Sequence, residues 1–415
     1  MASETFEQRI ERACRDKEIP GVLMVADDRE GNFRYEKVFG SRSLKDPSKS
    51  DPMTKDATMW MASCSKFPTC VAVMQCVERG QLNLDDNVTG LLPELKGLPI
   101  LAKFDTGDTQ PTMAENTKPI TLKHLLTHSS GLTYDVFSPT MMRYRIVVDK
   151  FTPTLNIKKP LTEALKFPLV FEPGASWEYS VGIDWAGFMV ERVSGMDLET
   201  YMKKNIWDPL GASSITFHPK KNPSTFANLT DMSVRSGGIT PFGTAVDPEA
   251  PVEYTADRVF GLNMPDCSGG AGLYGNILDY QNLLHSICAD DGKILKKETV
   301  DYMFQDHLTA ASKAVFNKRL EDPALRETLG GGMMTGMEIT YGLGGMIFLK
   351  DVEGGRRAGT MAWGGYPNLL WFCDRKAGLS GIAGAQVVPA GDPKFNRLFA
   401  LWEQELYKKA GKGKL

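Results

Sequence analysis

Apolar residues recur at helical spacing in the first part of the chain. In residues 6–14 they return every three or four positions, which predicts an amphipathic helix. Residues 63–79 carry a denser apolar set, which predicts a buried helix. This set comprises Phe67, Cys70, Val71, Met74 and Val77. Between the two segments, apolar runs at 22–26 and 33–39 flank an Asp-Arg-Glu-Gly turn, which predicts a β-hairpin.

The pattern changes twice in the rest of the chain. From about residue 82 to 251, helical periodicities alternate with long loops. The clearest predicted helices there are 122–126, 184–193 and 198–206. After a helix predicted at 278–289, strand-like runs separated by Gly-rich turns follow. These runs are 346–349, 368–374 and 379–383, and an amphipathic helix at 395–407 ends the pattern.

Strands near both ends, with helices between them, predict the organisation of the fold. We expect an α+β fold whose central antiparallel sheet, flanked by helices, is built from both ends of the chain. Residues 1–81 and 252–415 would form this shared, discontinuous sheet lobe, and residues 82–251 a mainly helical insertion lobe. The length of 415 residues is then one composite fold rather than two independent domains.

Composition excludes several classes of protein. The chain has 48 Lys plus Arg, 51 Asp plus Glu and a net charge of −3, so we expect no nucleic-acid partner. Because no run of 18 apolar residues occurs, we expect no membrane-spanning segment. The seven cysteines are scattered and form no Cys-x-x-Cys pair, so neither a metal site nor a disulfide framework is predicted.

The termini bear on location. The N-terminal sequence, from Met1 to Glu7, is polar and acidic where a secretory signal would be basic and then apolar, so we expect a cytoplasmic protein. The C-terminal Gly-Lys-Leu, residues 413–415, loosely resembles a peroxisomal address. A solvated tail is the simpler interpretation, and the peroxisome is the alternative.

The strongest chemical signal is a Ser-x-x-Lys sequence, Ser63 to Lys66, at the start of the predicted buried helix. At this spacing the two side chains share a helix face, so the amine can reach the hydroxyl. A serine needs a base to become a nucleophile, and a desolvated lysine near a helix N-terminus can assist it. The competing interpretation is a helix-capping Ser63 beside a solvated Lys66.

Two later segments complete a candidate active site. Tyr179 follows a Pro-Gly turn and could bring a phenol to Ser63. Within 361–366, Gly365 and a sheet-edge backbone donor at Tyr366 could form an oxyanion hole together with the amide of Ser63. Ser-x-x-Lys, then Tyr, then a Gly-containing strand is the order found in serine β-lactamases and penicillin-binding proteins.

Large aromatic residues would make this site apolar. Trp363 and Tyr366 are expected at its rim, and Trp60 and Tyr134 are further candidates for contact with the substrate. Most large aromatic residues belong to protein cores, so core packing is the alternative for each. Together they predict an apolar pocket for a bulky small molecule.

Three other motifs favour structural interpretations. Residues 270–275 read Gly-x-Gly-x-x-Gly, but no buried strand precedes them, so we expect a Gly-rich loop beside the pocket rather than a dinucleotide site. His128 adjoins Ser129, but neighbours on a helix point in different directions, so we expect a packing or capping histidine. Cys64 is expected to be buried rather than reactive.

Four stretches carry a family resemblance: 125–132 (LLTHSSGL), 184–187 (DWAG), 341–345 (YGLGG) and 363–368 (WGGYPN). The chain resembles the serine β-lactamase-like family, class C branch, and within it the family VIII esterases and the fungal lovastatin-pathway acyltransferases. The similarity to the latter is greater than to any β-lactamase. The resemblance implies the β-lactamase/transpeptidase-like fold, a nucleophilic Ser63, a basic Lys66 and a Tyr179 that shares the proton transfer.

Departures from the family concern the substrate. β-Lactamases have Lys-Thr-Gly where this chain has Trp-Gly-Gly at 363–365, which removes a cation and a hydroxyl that would hold a carboxylate. Val181 replaces an asparagine that would bind a lactam. Both changes favour neutral esters or thioesters. Compared with the lovastatin-pathway enzymes, Trp60 replaces an arginine and Ala390 a tryptophan, so the resemblance does not transfer their donor and acceptor.

These observations predict a serine acyltransferase (transesterase). Ser63 would take an acyl group from an ester or thioester donor and pass it to an alcohol of a hydrophobic, polyketide-like small molecule. Hydrolysis of small esters at the same site is the main alternative, followed by β-lactam chemistry and a non-catalytic binding protein. An intact Ser63, Lys66 and Tyr179 argues against the binding protein.

The proton transfer and the donor stay open at this point. Either Lys66 or Tyr179 could be the general base, because a coupled pair need not have a single answer. The mechanism requires no metal or organic cofactor. The resemblance allows a carrier-bound or pantetheine thioester as the donor, and the sequence does not indicate the oligomeric state.

Overall fold

The computed structural model describes residues 4–46, 48–49, 51–150, 159–240, 243–330 and 337–412. The C-terminal Gly-Lys-Leu, which carries the peroxisomal alternative, lies outside these ranges, as do the first three residues. No helix within them is long and apolar enough to cross a membrane.

Helices and mostly short strands alternate along the described part of the chain. The helices are α1 (Phe6–Arg15), α2 (Lys66–Glu78), α3 (Leu122–Leu126), α4 (Pro139–Val147), α5 (Leu161–Ala164), α6 (Gly182–Ser194), α7 (Leu198–Met202), α8 (Pro223–Ala227), α9 (Ile277–Ala289), α10 (Lys297–Met303), α11 (Ala310–Arg319), α12 (Pro323–Gly330) and α13 (Pro393–Lys412). The strands are β1 (Gly21–Asp28), β2 (Arg34–Gly40), β3 (Met59–Trp60), β4 (Ile100–Lys103), β5 (Thr112–Ala114), β6 (Met232–Arg235), β7 (Val252–Thr255), β8 (Tyr274–Gly275), β9 (Ile339–Tyr341), β10 (Met346–Phe348), β11 (Met361–Gly365), β12 (Leu369–Asp374), β13 (Leu379–Gly384) and β14 (Val387–Val388).

An antiparallel sheet lies at the centre of the fold. Among the described residues it has seven strands in the order β2-β1-β13-β12-β11-β10-β9. The hairpin β1–β2 comes from the start of the chain and the other strands from its last quarter, and β1 pairs directly with β13. The predicted α+β fold with a central antiparallel sheet built from both ends is therefore confirmed.

The division into two lobes stays a prediction. Most helices and short strands between residues 82 and 251 lie outside the central sheet, as expected for an insertion. However, β6 pairs with β7 across the predicted boundary at 251/252, and β14 adds to the same small sheet.

The central helix α2 is buried along most of its length. Every residue from Lys66 to Cys76 is buried, and the ring of Phe67 lies 4.8 Å from that of Trp371 on the sheet. Pro68 falls in the first turn, where a missing backbone donor is tolerated. The α-helix was predicted from residue 63, but it begins at Lys66 because a 3₁₀ turn, Ala62–Ser65, precedes it.

Two further predictions are corrected. The helix predicted at 198–206 is α7 followed by a π-helical turn, Lys203–Trp207, whose Ile206 and Trp207 are buried. The segment 361–366 was predicted as a Gly-containing strand at a sheet edge, but its strand, β11, lies in the interior of the sheet.

Candidate active site

Ser63 lies in the tight turn that leads into α2. The residue before it, Ala62, has a positive φ of 45°, a conformation that is strained for any residue except glycine. Such strain is maintained only where the surroundings impose it, and it is frequent at functional sites. The turn places Ser63, half-buried, in the lining of a cleft, three residues before the start of α2.

The three residues predicted to carry the chemistry lie together. Tyr179 Oη donates a hydrogen bond of 2.7 Å to Ser63 Oγ. Lys66 Nζ lies 3.4 Å from the same oxygen, at the long end of the hydrogen-bond range. Lys66 Nζ also sits over the ring of Tyr179, 4.8 Å from its centroid. Ser63 is therefore within reach of two groups that can exchange its proton.

Lys66 is a buried cation with neutral hydrogen-bond partners. Its Nζ donates to the carbonyl of Gly270 at 2.7 Å and to Tyr134 Oη at 3.0 Å, besides its contact with Ser63. These three contacts equal the number of donors of an ammonium group. The residue has no exposed surface. The alternative of a solvated lysine is thus wrong.

A buried carboxylate stands behind Lys66. Asp184 on α6 accepts hydrogen bonds from the amide of Gly270 at 3.0 Å and from Ser268 Oγ at 2.5 Å. Burial raises the pKa of Asp184, and the charge of Lys66 opposes this shift. Asp184 therefore orients the residue whose carbonyl holds Lys66, and the two charges attract each other without direct contact.

Tyr134 and Tyr179 line the same side of the site. Their rings lie 5.2 Å apart, and the amide of Tyr134 donates to the carbonyl of Tyr179 at 3.1 Å. Burial raises the pKa of Tyr134 well above its usual value, so its phenol stays protonated at neutral pH. Trp363 points its indole N–H at Tyr179 Oη, 3.4 Å away.

His128 packs against Tyr179, as the sequence predicted for a structural histidine. Its ring lies edge-on to that of Tyr179 with centroids 4.8 Å apart, and its Nδ1 is 3.0 Å from Ser180 Oγ. Burial lowers the pKa of His128 well below its usual value, which keeps the ring neutral. The Ser129 hydroxyl contacts Thr127 instead, so the two residues form no Ser-His pair.

The cleft above Ser63 is apolar and contains about 630 Å³ of empty space, including the part open to solvent. Its described lining comprises Trp60, Ala62, Ser63, Tyr134, Val136, Phe137, Tyr179, Ala271, Thr328, Leu329, Trp363, Gly364, Gly365, Tyr366 and Ala390. None of these residues is charged. The site residues predicted from sequence all lie in this lining except Lys66, which is buried and contacts Ser63 Oγ through its Nζ.

Trp60 forms a rigid wall of the cleft. Its ring stacks on Phe260 with centroids 5.7 Å apart, and its Nε1 donates to the carbonyl of Ala271 at 2.8 Å. The side chain of Gln386 bonds both the amide and the carbonyl of Trp60. With its own donor satisfied, the indole presents only apolar surface to a ligand.

Gly365 explains why the Trp-Gly-Gly segment approaches the serine so closely. A Cβ at this position would lie 2.3 Å from the carbonyl oxygen of Met61, so only glycine fits. Tyr366 follows directly. The expectation that it lies at a sheet edge is wrong, because β11 is flanked by β10 and β12. It lies instead where an interior strand ends beside Ser63.

Sequence reasoning missed part of the lining. Val136 and Phe137 come from a 3₁₀ turn after Tyr134, and Thr328 and Leu329 come from α12. The motifs contain no signal for the α12 residues, which reach the cleft only through tertiary packing. The position of Val136 and Phe137, directly after Tyr134, could have indicated them.

The two remaining sequence expectations are confirmed. The 270–275 segment is a loop and short strand beside the cleft, where Ala271 lines the cavity. Cys64 is fully buried, and burial raises the pKa of its thiol, so it is not poised to react.

Known proteins match this chain over nearly its whole length. A family model described as Beta-lactamase matches residues 6–397. Monacolin J acid methylbutanoyltransferase of Aspergillus terreus is 33% identical over 411 residues, covering 97% of this chain and 95% of that protein. Lovastatin esterase of Penicillium rubens is 36% identical over 393 residues, covering 94% and 95%.

A solved structure agrees with these matches. Simvastatin synthase from Aspergillus terreus, the LovD6 mutant, superposes with a TM-score of 0.88 at 34% identity and covers 98% of this chain and 95% of that chain. The predicted family resemblance is confirmed in sequence and in fold. The chain belongs to the beta-lactamase family.

Proposed function

We propose that this chain is a serine acyltransferase that forms an acyl-enzyme on Ser63 and passes the acyl group to the alcohol of a hydrophobic small molecule. One observation carries the proposal. Ser63 Oγ lies 2.7 Å from Tyr179 Oη and 3.4 Å from Lys66 Nζ, in the lining of a cleft whose described residues bear no charge.

Tyr179 is the group that exchanges the proton with Ser63. It is the nearer partner of Ser63 Oγ, and it receives the indole N–H of Trp363 and the field of Lys66 over its ring. Both contacts favour negative charge on the phenolic oxygen. Lys66, held by three acceptors, stays in place as a cation and lowers the cost of that charge.

The oxyanion of the tetrahedral intermediate would be held by two backbone amides, those of Ser63 and Tyr366. The close approach of Gly365 to Met61 supports this role, because it brings the end of β11 against the serine turn. Preorganised amides of this kind typically account for about 10²–10³ in rate.

The substrates are proposed to be uncharged where they contact the cleft. A carboxylate entering this lining would lose its hydration without a cation to replace it. The similarity to monacolin J acid methylbutanoyltransferase supports an acyl donor and an alcohol acceptor of small-molecule size. A pantetheine or carrier-bound thioester is the donor we favour, and the proposed location is the cytoplasm, which cell fractionation would test.

Hydrolysis is the second candidate function, favoured by the 36% identity to lovastatin esterase. The two functions use the same acyl-enzyme and differ only in what releases it, water or an alcohol. Their products therefore separate them.

The experiment supplies a short-chain acyl thioester of pantetheine, with and without a panel of hydrophobic alcohols, and quantifies ester and free acid by chromatography. We expect ester to dominate with at least one alcohol. Free acid alone across all acceptors would identify a hydrolase. The variant Tyr179→Phe, which keeps the ring but removes the phenolic oxygen, should lower both products by about 10²–10⁴.

A further inference from the structure

The segment that carries Tyr179 is docked on α11. Ser312 Oγ donates to the carbonyl of Ser176 at 2.9 Å, and Thr309 Oγ1 donates to that of Gly174 at 3.1 Å. The ring of Trp177 lies 4.2 Å from that of Phe316 on the same helix. The position of Tyr179 therefore depends on α11 as well as on the loop that contains Tyr179.

The last link of this docking is an ion pair next to Tyr179. Glu178 is 4% exposed and forms an ion pair with Arg319 at the C-terminal end of α11. The side chain of Arg319 is 32% exposed. The second carboxylate oxygen, Oε1, is buried without a hydrogen-bond partner among the described residues. The backbone amide of Glu178 donates a hydrogen bond of 3.0 Å to the carbonyl of His128.

The pair also links two walls of the cleft. Tyr179 contributes one wall, and Thr328 and Leu329 of α12 contribute another. Only three residues separate α11 from α12, so whatever fixes Arg319 also constrains the start of α12.

We propose that Glu178 is a positioning residue: its ion pair with Arg319 holds Tyr179 in register with Ser63, so acylation requires Glu178 to be charged. This inference rests on the proposed role of Ser63 and Tyr179. It goes beyond that role because neither Glu178 nor Arg319 touches the reacting atoms.

Stability does not explain why a carboxylate is buried here. Burial raises the pKa of Glu178 from its usual value near 4.5 to about 7, although Arg319 opposes the shift. The folded chain therefore holds a proton that the unfolded chain has released between these values, and its stability falls as the pH rises through this window. Charging Glu178 costs stability, which a role in catalysis would offset.

Three other titratable rings lie against this segment, and burial lowers the pKa of one of them, His124, whose ring faces Gly174. Burial lowers the pKa of His128 and raises that of Tyr341, both well away from their usual values, and both rings contact Trp177. Arg319 is the charged group that faces Glu178. When Glu178 is protonated, the ion pair is lost and Arg319 can turn to solvent.

The pH profile of the acylation rate should therefore have an acid limb, that is, a decrease in rate toward low pH. Because the reactive form has Glu178 charged, the rate should fall as the pH decreases through about 7. Because the limb depends on the ion pair, removing Arg319 should abolish it and leave the rate low at every pH. A residue with a purely structural role would change the rate at every pH without moving a limb.

The test measures the rate of acyl-enzyme formation from a p-nitrophenyl ester between about pH 5.5 and 9, by rapid quenching and intact-mass spectrometry. The wild type should show a limb with a midpoint near 7. Glu178→Gln should lack the limb and acylate about ten- to a hundredfold more slowly at pH 8. Arg319→Met should acylate as slowly as Glu178→Gln at pH 8 and lack the limb, because it also removes the ion pair, and Arg319→Lys should preserve the limb.

The matched control is Glu94→Gln, which removes the carboxylate from the more exposed Glu94–Arg192 pair and should leave the profile unchanged. A limb that persists with the same midpoint in Glu178→Gln and Arg319→Met would belong to another group and would overturn the inference. If Glu178→Gln does not fold, an unmoved limb in Arg319→Met is sufficient to overturn it. Absence of any adduct in the wild type would instead contradict the proposed function.

Discussion

Arg356 and Lys66 are both buried cations, but Arg356 pairs with a carboxylate and Lys66 has only neutral hydrogen-bond partners. Arg356 is 3% exposed and makes two hydrogen bonds to the carboxylate of Glu403, of 2.6 and 3.0 Å, with its guanidinium over the ring of Phe348. Lys66 is equally buried, but its hydrogen-bond partners are two hydroxyls and a carbonyl. No carboxylate among the described residues pairs with it.

This difference indicates that Arg356 stabilises the fold, whereas Lys66 takes part in the chemistry of the site. A bidentate ion pair neutralises itself and ties α13 to the loop before β11, and neither residue is in the described lining of the cleft above Ser63. A buried ammonium without a salt bridge costs stability, and it acts on whatever atoms lie next to it. In this chain those atoms are Ser63 Oγ and the ring of Tyr179. Exchanging or removing each cation should therefore have opposite consequences.

The largest effect is expected from Lys66→Met. Acylation should fall by about 10³ or more, because Tyr179 loses the charge that supports proton transfer. The free energy of unfolding should change less than in Arg356→Met, because Lys66 makes no salt bridge, although the variant leaves Asp184 without the charge that offsets its burial. Single-turnover acylation and urea denaturation measure the two quantities. Activity within tenfold of the wild type would remove Lys66 from the mechanism.

Arg356→Met should show the converse behaviour. We expect a loss of about 3–5 kcal/mol in the free energy of unfolding, because Glu403 is left buried without its partner. Burial already raises the pKa of Glu403, so the loss should be larger at pH 8 than at pH 5, where the carboxyl can be protonated.

Two controls accompany this second variant. The rate of acylation per folded molecule should be unchanged, and the double variant Arg356→Met with Glu403→Leu should recover most of the stability. A stable single variant with impaired chemistry would reverse the distinction drawn between the two cations.

The smallest effect is expected from Trp363→Phe. It removes the N–H that lies 3.4 Å from Tyr179 Oη, a long hydrogen bond, so the acylation rate should fall by about fivefold, or about 1 kcal/mol. Trp371→Phe is the matched control, because the indole N–H of Trp371 is buried without a hydrogen-bond partner in the described part of the chain. Equal losses in both variants would indicate packing rather than support of Tyr179.

The sequence predicted those helices, strands and contacts that depend on residues close together in the chain. The amphipathic spacing of residues 6–14 and the apolar alternation of 22–39 are sufficient for α1 and the first hairpin. The spacing of Ser63 and Lys66 likewise contains the geometry of their contact. Tyr179 could be chosen only because its order in the chain follows a known motif, since 116 residues separate it from Ser63.

The remainder required the three-dimensional structure. The interior position of β11 depends on its neighbours β10 and β12, and the close approach of Gly365 to Met61 is likewise a tertiary contact. Thr328 and Leu329 reach the cleft because α12 packs against β11, a contact that no periodicity encodes. The partner of Glu178 is 141 residues away and also depends on the tertiary fold.

The central claim is that Ser63 carries the acyl group, and peptide mapping after incubation with an acyl thioester tests it most directly. The wild type should gain one acyl mass, located on the peptide that contains Ser63, and Ser63→Ala should gain none while keeping the circular dichroism spectrum of the wild type. An adduct that persists in Ser63→Ala, or that maps to another residue, would contradict the account.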